Sequence, residues 1–162
     1  MSLDERLLRL ARTRGHTPER ERAVARFSRV GEHSAIWLAL GLGGSLLSRP
    51  AERRAQWRRA TAVVGSTYMA NTALKLIVRR ERPELPGMPP LTSTPTRLSF
   101  PSAHSSTSFA AALAYSRLGM PAPPLFALAA GLALSRLYLG VHYPSDVAAG
   151  ALLGTAIAAA AS

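Results

Sequence analysis

Residues 101–118 read PSAHSSTSFAAALAYSRL, a stretch that predicts a helix and the residue at which it begins. Pro101 keeps any helix from entering from the preceding loop, and Ser102 is a favourable N-cap for a helix that starts at Ala103. Free backbone N–H groups at such a helix start form an anion site, which the helix dipole strengthens. We expect His104 to lie in the first turn, beside that site.

Two further polar segments stand at the ends of other apolar segments. Upstream, Lys75 and Arg82 lie seven residues apart, and this lysine is the only one beside nineteen arginines. Downstream, Arg136 closes one apolar segment, and His142 and Asp146 stand four residues apart at the start of the next. Taken alone, each segment also fits a capping serine, a local helix contact or a basic helix end. The basic helix end would be an interfacial cluster of Arg79, Arg80 and Arg82.

Together the three segments hold the groups that a phosphate-transfer site needs. Cations neutralise the phosphate, a histidine backed by a carboxylate attacks phosphorus, and a second histidine protonates the leaving oxygen. Ligands for a metal are scarce, because Asp146 is the only carboxylate after Glu84 and the chain has no cysteine. A two-metal phosphatase requires several carboxylates, and a zinc site requires three or four ligands. We therefore expect no metal cofactor.

The distribution of charge favours a membrane protein. A net charge of +11 raises the question of nucleic acid, but the arginines collect between Ala-, Leu-, Val- and Gly-rich segments that carry almost no charge, so no nucleic-acid partner is expected. The expected fold is all-α, an integral membrane bundle of about five transmembrane helices in the cell membrane. Most segments are shorter than the ~20 residues of a perpendicular span, so a soluble helical bundle is the alternative. The segments are roughly residues 34–47, 60–78, 103–118, 125–139 and 147–161.

Residues 1–32 differ from this core, which we expect to comprise residues 33–162. Arg and Glu dominate the N-terminal segment, and spaced apolar residues predict one or two amphipathic helices that break near residues 15–18. These helices would lie on lipid headgroups or against the bundle, and a solvated charged face is the alternative. Within the core, the proline-rich residues 79–100 predict a loop that forms or covers a site. Gly150 and Gly154 have the spacing of closely packed helices, and we expect that packing within one protomer.

The three polar segments resemble the tripartite signature of the type 2 phosphatidic acid phosphatase (PAP2) superfamily, which also includes bacterial acid phosphatases and vanadium haloperoxidases. The segments match in order and spacing, with Ala103 standing where the family usually has Gly. The resemblance implies that His142 is a nucleophile that forms a phosphohistidine, and that Asp146 orients it. It also implies that His104 protonates the leaving alkoxide and then activates water. The residues implied to hold the phosphate oxygens are Lys75, Arg82, Ser102, Ala103 (through its backbone) and Arg136.

A closer resemblance is to small actinobacterial members of this family that dephosphorylate decaprenylphosphoryl 5-phosphoribose. It rests on residues 31–34 (GEHS), 98–101 (LSFP) and 141–150. Glu32 and His33 would be either a substrate contact or a helix start, and we favour the helix start. The implied partners are a lipid-linked phosphate substrate and membrane lipids. The sequence leaves the oligomeric state open, as well as the side of the membrane that the site faces.

Several other functions compete with this interpretation. Within the phosphatases, the alternatives are hydrolysis of phosphatidic acid, phosphatidylglycerol phosphate or a polyprenyl diphosphate. A vanadium haloperoxidase would use a similar oxyanion pocket, but such enzymes are generally soluble and much longer. A non-catalytic lipid-binding protein would need the basic residues but not His104, His142 and Asp146. A serine esterase would use His142 and Asp146 with Ser102 or Ser105. The sequence lacks the G-x-S-x-G elbow and the alternating strand-helix plan of that class.

Overall fold

The computed structural model describes residues 1–161. Over this range the chain is helical apart from connecting loops and two isolated β-bridges, Glu81 with Leu98 and Leu85 with Met88. This confirms the predicted all-α class. Residues 79–102 form the long non-helical connection, as expected from their prolines. The helices are α1 (Leu3–Thr13), α2 (Pro18–Val30), a 3-10 turn (Glu32–Ser34), α3 (Ala35–Leu47), α4 (Ala51–Val78), α5 (Ala103–Ser116), α6 (Ala122–Tyr138) and α7 (Pro144–Ala160).

Helix α5 is the centre of the bundle, with α4, α6 and α7 packed around it. Its alanines and serines are almost entirely buried, and such small side chains let neighbouring backbones approach closely. Trp37 of α3 is anchored to this helix at two points. Its indole N–H donates to the Ser108 hydroxyl at 2.8 Å, and its carbonyl accepts from the Tyr115 hydroxyl at 2.8 Å. The buried indole N–H of Trp37 and the buried hydroxyl of Tyr115 therefore both have hydrogen-bond partners, as buried donors require.

Helix α4 begins nine residues before the apolar segment predicted at 60–78. The added turns contain arginines, but Trp57 on them is buried against Gly44 of α3. A Cβ at Gly44 would lie 2.4 Å from the indole, so only glycine permits this contact. The side chain of Arg53 also donates to the carbonyl of Leu118. Tertiary contacts therefore extend α4 at its N-terminal end, beyond the segment that its apolar residues predict.

The N-terminal segment forms two helices with the predicted break, and both pack against the bundle. Ser2 and Glu5 make a capping box at the start of α1, and Thr17 followed by Pro18 starts α2. Arg12 of α1 donates to the carbonyls of Tyr138 at 3.1 Å and Pro89 at 2.7 Å. Of the two locations predicted for these helices, the structure shows the one against the bundle.

The helices of residues 1–161 do not reach the combined length and apolar content of a membrane-crossing helix. The prediction of about five transmembrane helices is therefore not confirmed by the structure.

The glycine pair of α7 packs directly on the N-terminal half of α5. A Cβ at Gly150 would lie 2.5 Å from the carbonyl oxygen of Ser102, and one at Gly154 would lie 1.9 Å from that of Ser106. Both contacts are with backbone, which cannot move aside as a flexible side chain can. The small-residue face of α7 therefore packs within the protomer, as predicted.

Replacing Gly154 with Leu should destabilise the protein at every protein concentration, because the side chain would force α5 and α7 apart. We expect a loss of stability of at least roughly 1–3 kcal/mol, the range for overpacked cores. Thermal unfolding monitored by circular dichroism measures it. Gly43→Leu is the control, since no atom lies within 4 Å of a Cβ at that glycine. Equal melting temperatures for the two variants would contradict the packing described here.

Candidate active site

A cavity of about 410 Å³ opens where α4, α5 and α6 meet the long loop and the residues before α7. Six of the residues singled out in the sequence line it, although they come from five separate parts of the chain. Ser102 and Asp146 lie behind its wall and are fully buried. The six lining residues are Lys75, Arg82, Ala103, His104, Arg136 and His142.

His142 lies in the loop between α6 and α7, with only 3 % of the residue exposed. Its Nε2 accepts a hydrogen bond from an Arg82 N–H at 3.1 Å, so the ring proton is on Nδ1. Nδ1 faces a carboxylate oxygen of Asp146 at 3.4 Å, longer than a good hydrogen bond and within ion-pair range. Burial, and then the positive charges of Arg82 and Arg136, hold the pKa of His142 well below its ordinary value. The imidazole is therefore neutral at pH 7, the form that can attack phosphorus.

Asp146 is fully buried, and all its charge is compensated by protein groups. One oxygen accepts from Arg80 at 2.9 Å, and the other accepts from the backbone N–H of Tyr143 at 2.8 Å while facing His142. The sequence spacing suggested that His142 and Asp146 lie on one helix, and that interpretation is wrong. Helix α7 begins at Pro144, because proline suits a first helical turn, so the histidine precedes the helix.

His104 lies in the first turn of α5, as predicted. Its Nε2 lies 3.0 Å from the backbone carbonyl of Ser28, which can only accept, so this nitrogen carries a proton. Any proton that the ring exchanges with a bound group must therefore pass through Nδ1. The contact also brings α2 to the wall of the cavity.

The three predicted cations are held in different ways. Arg136 donates to the Ser28 hydroxyl at 2.6 Å, and its Nε is buried without a hydrogen-bond partner. Arg82 donates to the carbonyls of Thr96 at 2.8 Å and Val141 at 2.7 Å, and burial lowers its pKa to about 10. It therefore stays protonated at neutral pH. Both guanidinium groups keep a fixed charge at the cavity.

Lys75 has a second role that the sequence did not indicate. Its ammonium donates to three backbone carbonyls of the loop before α5. They belong to Leu98 at 3.3 Å, Ser99 at 3.1 Å and Pro101 at 2.9 Å. The lysine thus ties the end of α4 to the start of α5 while it contributes positive charge to the cavity wall.

The start of α5 has the form expected of an anion site. Ser102 occupies the N-cap position, but its hydroxyl makes no capping hydrogen bond and is buried without a partner. Ala103 begins the helix and is not among the residues with positive φ. Alanine therefore causes no strain where the family usually has glycine.

Glu32 and His33 also line the cavity, at the 3-10 turn that precedes α3. The interpretation favoured from the sequence is that these two residues start a helix. They do form a helical turn, but it is a separate 3-10 turn, and α3 itself begins at Ala35. His33 and Ser34 adopt positive φ values of 48° and 62°, which are unfavourable for residues other than glycine. Backbone strain of this kind concentrates at functional sites.

The sequence did not indicate the part that three residues, Ser28, Arg80 and Asp4, play at the site. Ser28 binds both His104 and Arg136, Arg80 binds Asp146, and Asp4 binds Arg80. Arg80 had been grouped with an interfacial arginine cluster. The scarcity of aspartate, two in the chain, was the one available signal for Asp4.

Comparison with known proteins agrees with this geometry. Residues 56–162 match the model of the PAP2 superfamily, and the chain belongs to that superfamily. A decaprenylphosphoryl-5-phosphoribose phosphatase of Mycolicibacterium smegmatis is 49 % identical over 124 residues, 76 % of this chain and 67 % of that protein. The protein of that name from Mycobacterium tuberculosis is 44 % identical over 139 residues, 85 % of this chain and 76 % of the relative. The predicted family and the predicted class of activity, a phosphatase, are confirmed.

Solved structures share the fold at lower identity. Aquifex aeolicus LpxE superimposes with a TM-score of 0.83 at 23 % identity, covering 99 % of this chain and 95 % of that one. A PAP2-type phosphatidylglycerolphosphate phosphatase from Bacillus subtilis has a TM-score of 0.73 at 21 % identity, with coverage of 98 % and 82 %. A bacterial vanadium-dependent iodoperoxidase has a TM-score of 0.78 at 19 % identity, but this chain covers 47 % of it.

The three acid-base residues should fail in different ways when replaced. If His142 forms the predicted phosphohistidine, His142→Ala should abolish turnover, because the covalent intermediate would have no attachment point. Asp146→Asn should keep binding but lose most of kcat, since the ring loses its orientation and the support for its charge. His104→Ala should slow an alkyl phosphate far more than an aryl phosphate, whose leaving group barely needs a proton. Steady-state kinetics on both substrates, with and without EDTA, measure these effects. Substantial turnover by His142→Ala, or complete loss with EDTA, would contradict the assignment.

Proposed function

We propose that the protein removes a terminal phosphate from a sugar phosphate attached to a polyprenyl lipid, without a metal ion, through a phosphohistidine on His142. The observation that carries the proposal is the cavity that joins a neutral, carboxylate-backed histidine to buried cations. The unpartnered Nε of Arg136, a residue that lines the cavity, supports an anion as the bound group, because this N–H can donate to a phosphate oxygen.

Two displacements complete the reaction. The bound phosphate monoanion first gives its proton to Nδ1 of His104, whose Nε2 proton stays bonded to the carbonyl of Ser28. Nε2 of His142 then forms a bond to phosphorus as the bond from phosphorus to the sugar oxygen breaks, and His104 donates the Nδ1 proton to that oxygen. His104, now neutral, takes a proton from water, which attacks the phosphohistidine and releases inorganic phosphate. His142 leaves as the neutral imidazole, and His104 is again protonated. Asp146 compensates the positive charge on His142 in both steps.

Further polar residues of the cavity favour a sugar next to the phosphate. Glu32 and the loop residues Thr94 and Thr96 also line the cavity. A carboxylate and hydroxyls suit the diol of a ribose, whereas the glycerol backbone of phosphatidic acid, fully esterified, has no hydroxyl to offer them. The names of the two mycobacterial relatives, which describe a phosphoribose, support the same choice.

A second, largely apolar recess adjoins the cavity. Its volume is about 420 Å³, and it shares His33 and Tyr68 with the catalytic cavity. Nδ1 of His33 lies 3.2 Å from the Tyr68 hydroxyl, so a polar pair stands where the two spaces meet. We assign this junction to the phosphodiester between sugar and lipid, and the recess to the first isoprene units. Leu38, Val64, Gly65 and Met69 line the recess.

We further propose that the bundle lies in a membrane. Large apolar side chains are exposed on the outer surfaces of four helices, which supports an apolar surrounding. Release of the protein from membranes by an alkaline carbonate wash would contradict this location. The exposed residues include Leu42, Leu46 and Leu47 of α3, Met69, Leu76 and Ile77 of α4, Leu134 of α6 and Leu152 of α7.

The wild-type protein should release phosphate from a synthetic polyprenyl phosphoryl-5-phosphoribose with a higher kcat/KM than from phosphatidic acid. Glu32→Ala should lower kcat/KM for the phosphoribosyl lipid by about tenfold, the value of one hydrogen bond to a charged group, and leave phosphatidic acid unaffected. Phosphate release in detergent micelles measures both. Glu84→Ala, which removes an exposed loop carboxylate, is the control. A wild-type preference for phosphatidic acid would overturn the proposed substrate.

Gly65→Leu should raise KM for the polyprenyl substrate while leaving KM for 4-nitrophenyl phosphate unchanged. A Cβ at Gly65 has no atom within 4 Å, so the leucine fits without strain and fills the recess. Gly43→Leu is the matched control, since its Cβ is equally free and Gly43 does not line the recess. Equal effects of the two variants on the long-chain substrate would show that the recess does not bind the chain.

A further inference from the structure

Arg80 links the first helix of the chain to the predicted catalytic carboxylate. One guanidinium nitrogen donates to an oxygen of Asp146 at 2.9 Å, and the other donates to an oxygen of Asp4 at 2.9 Å. The guanidinium carbon lies 4.0 Å from the centre of the Tyr143 ring, in cation–π range. Arg80 does not line the cavity. It binds the Asp146 oxygen that does not face His142.

Asp4 is held as firmly as the arginine that it binds. Its carboxylate accepts the backbone N–H of Ser145 at 3.0 Å and also the Ser145 hydroxyl. Burial alone would raise the pKa of Asp4, but the hydrogen bonds from Ser145 and Arg80 bring it below the ordinary value. Asp4 is therefore ionised at neutral pH. Arg80 also donates to the Ser145 hydroxyl at 2.6 Å, so the three side chains form one network.

We propose that Arg80, held by Asp4, is a positioning residue that fixes the Asp146 carboxylate for its work on His142. The inference rests on the proposed role of His142 as nucleophile. The charges along this row alternate, from Asp4 to Arg80 to Asp146 and then to the imidazole that becomes positive during the reaction.

The geometry explains why Asp146 needs this partner. A carboxylate with no exposure to water is costly unless it is paired and hydrogen-bonded. Arg80 binds one oxygen, which fixes the plane of the carboxylate and turns the other oxygen toward Nδ1 of His142. Without Arg80, the N–H of Tyr143 remains as a partner of one oxygen only, and the carboxylate can turn about that contact or accept a proton. Either change removes the support for the charge that develops on the ring.

The inference gives α1 a part in catalysis. Arg12 fixes the C-terminal end of α1 to the carbonyl of Tyr138, at the end of α6, and to the loop carbonyl of Pro89. Asp4 at the other end then meets Arg80 and Ser145. A helix that makes no contact with the cavity thus holds the charge behind the nucleophile.

The test measures kcat, KM and inhibition by vanadate for the full-length protein and its variants with 4-nitrophenyl phosphate. Arg80→Gln should lower kcat by about tenfold or more, which is the loss seen when a residue that orients a metal ligand through a hydrogen bond is replaced. KM and inhibition by vanadate should be nearly unchanged, because Arg80 does not line the cavity. Arg80→Lys should recover part of the loss, and Asp4→Asn should cause a smaller one. Arg97→Gln, an exposed arginine of the same loop, is the control and should match the wild type.

A double-mutant comparison separates positioning from a merely structural role. If Arg80 acts through Asp146, then Arg80→Gln should cost little more when Asp146 is already Asn. An equal loss in both backgrounds, or an unchanged kcat, would overturn the inference.

A second readout does not depend on turnover. The Nδ1 proton signal of His142 in ¹⁵N-histidine NMR should shift in Arg80→Gln and not in Arg97→Gln. If the signal shifts but the wild-type protein hydrolyses no phosphate ester, the positioning role stands and the proposed function is refuted. An unshifted signal would refute the positioning role.

Discussion

The buried charge of Asp146 is the constraint on which the rest of the catalytic end depends. A carboxylate removed from water requires donors, and the chain supplies them from its long loop, through Arg80, and from the turn before α7, through the N–H of Tyr143. Those donors in turn fix where the segments can lie. The cations Lys75 and Arg82 lie near other positive charges, and the negative charge of Asp146 offsets part of their mutual repulsion.

Close packing of α5 on α7 brings the separate motifs to one place. Two glycines of α7 lie against backbone carbonyls near the start of α5, so the distance between the two helices has no room to vary. The N–H of Ser102 donates to the carbonyl of Asp146 at 3.0 Å across the same contact. The anion site at the start of α5 and the acid at the start of α7 are therefore positioned by a single interface. The relative position of the two segments is therefore set by the close packing of Gly150 and Gly154, which are not themselves residues of the site.

Much of this arrangement could be predicted from the sequence, because its signals are local. Apolar segments, prolines and capping residues gave the helices nearly to their ends, and charged residues at those ends gave six of the cavity residues. The misplaced start of α4 depended on Trp57 meeting Gly44, a contact without a local pattern. The pairs Asp4 with Arg80 and Ser28 with His104 are each separated by 76 positions, and no periodicity connects them. The placement of His142 outside α7 was foreseeable, since Pro144 marks the first turn of a helix.

The hydrogen bond from Arg82 to Nε2 of His142 has a consequence for selectivity. In the proposed reaction, the lone pair that attacks phosphorus is the one that this guanidinium occupies, so the proposed nucleophile is covered until a bound group draws Arg82 toward itself. A doubly charged phosphate monoester can do so, because its oxygens bind a guanidinium more strongly than a neutral imidazole does. An uncharged ester or a carbonyl compound cannot. The proposed mechanism would therefore discriminate against neutral electrophiles before any chemistry begins, and the anion that binds would also expose the proposed nucleophile.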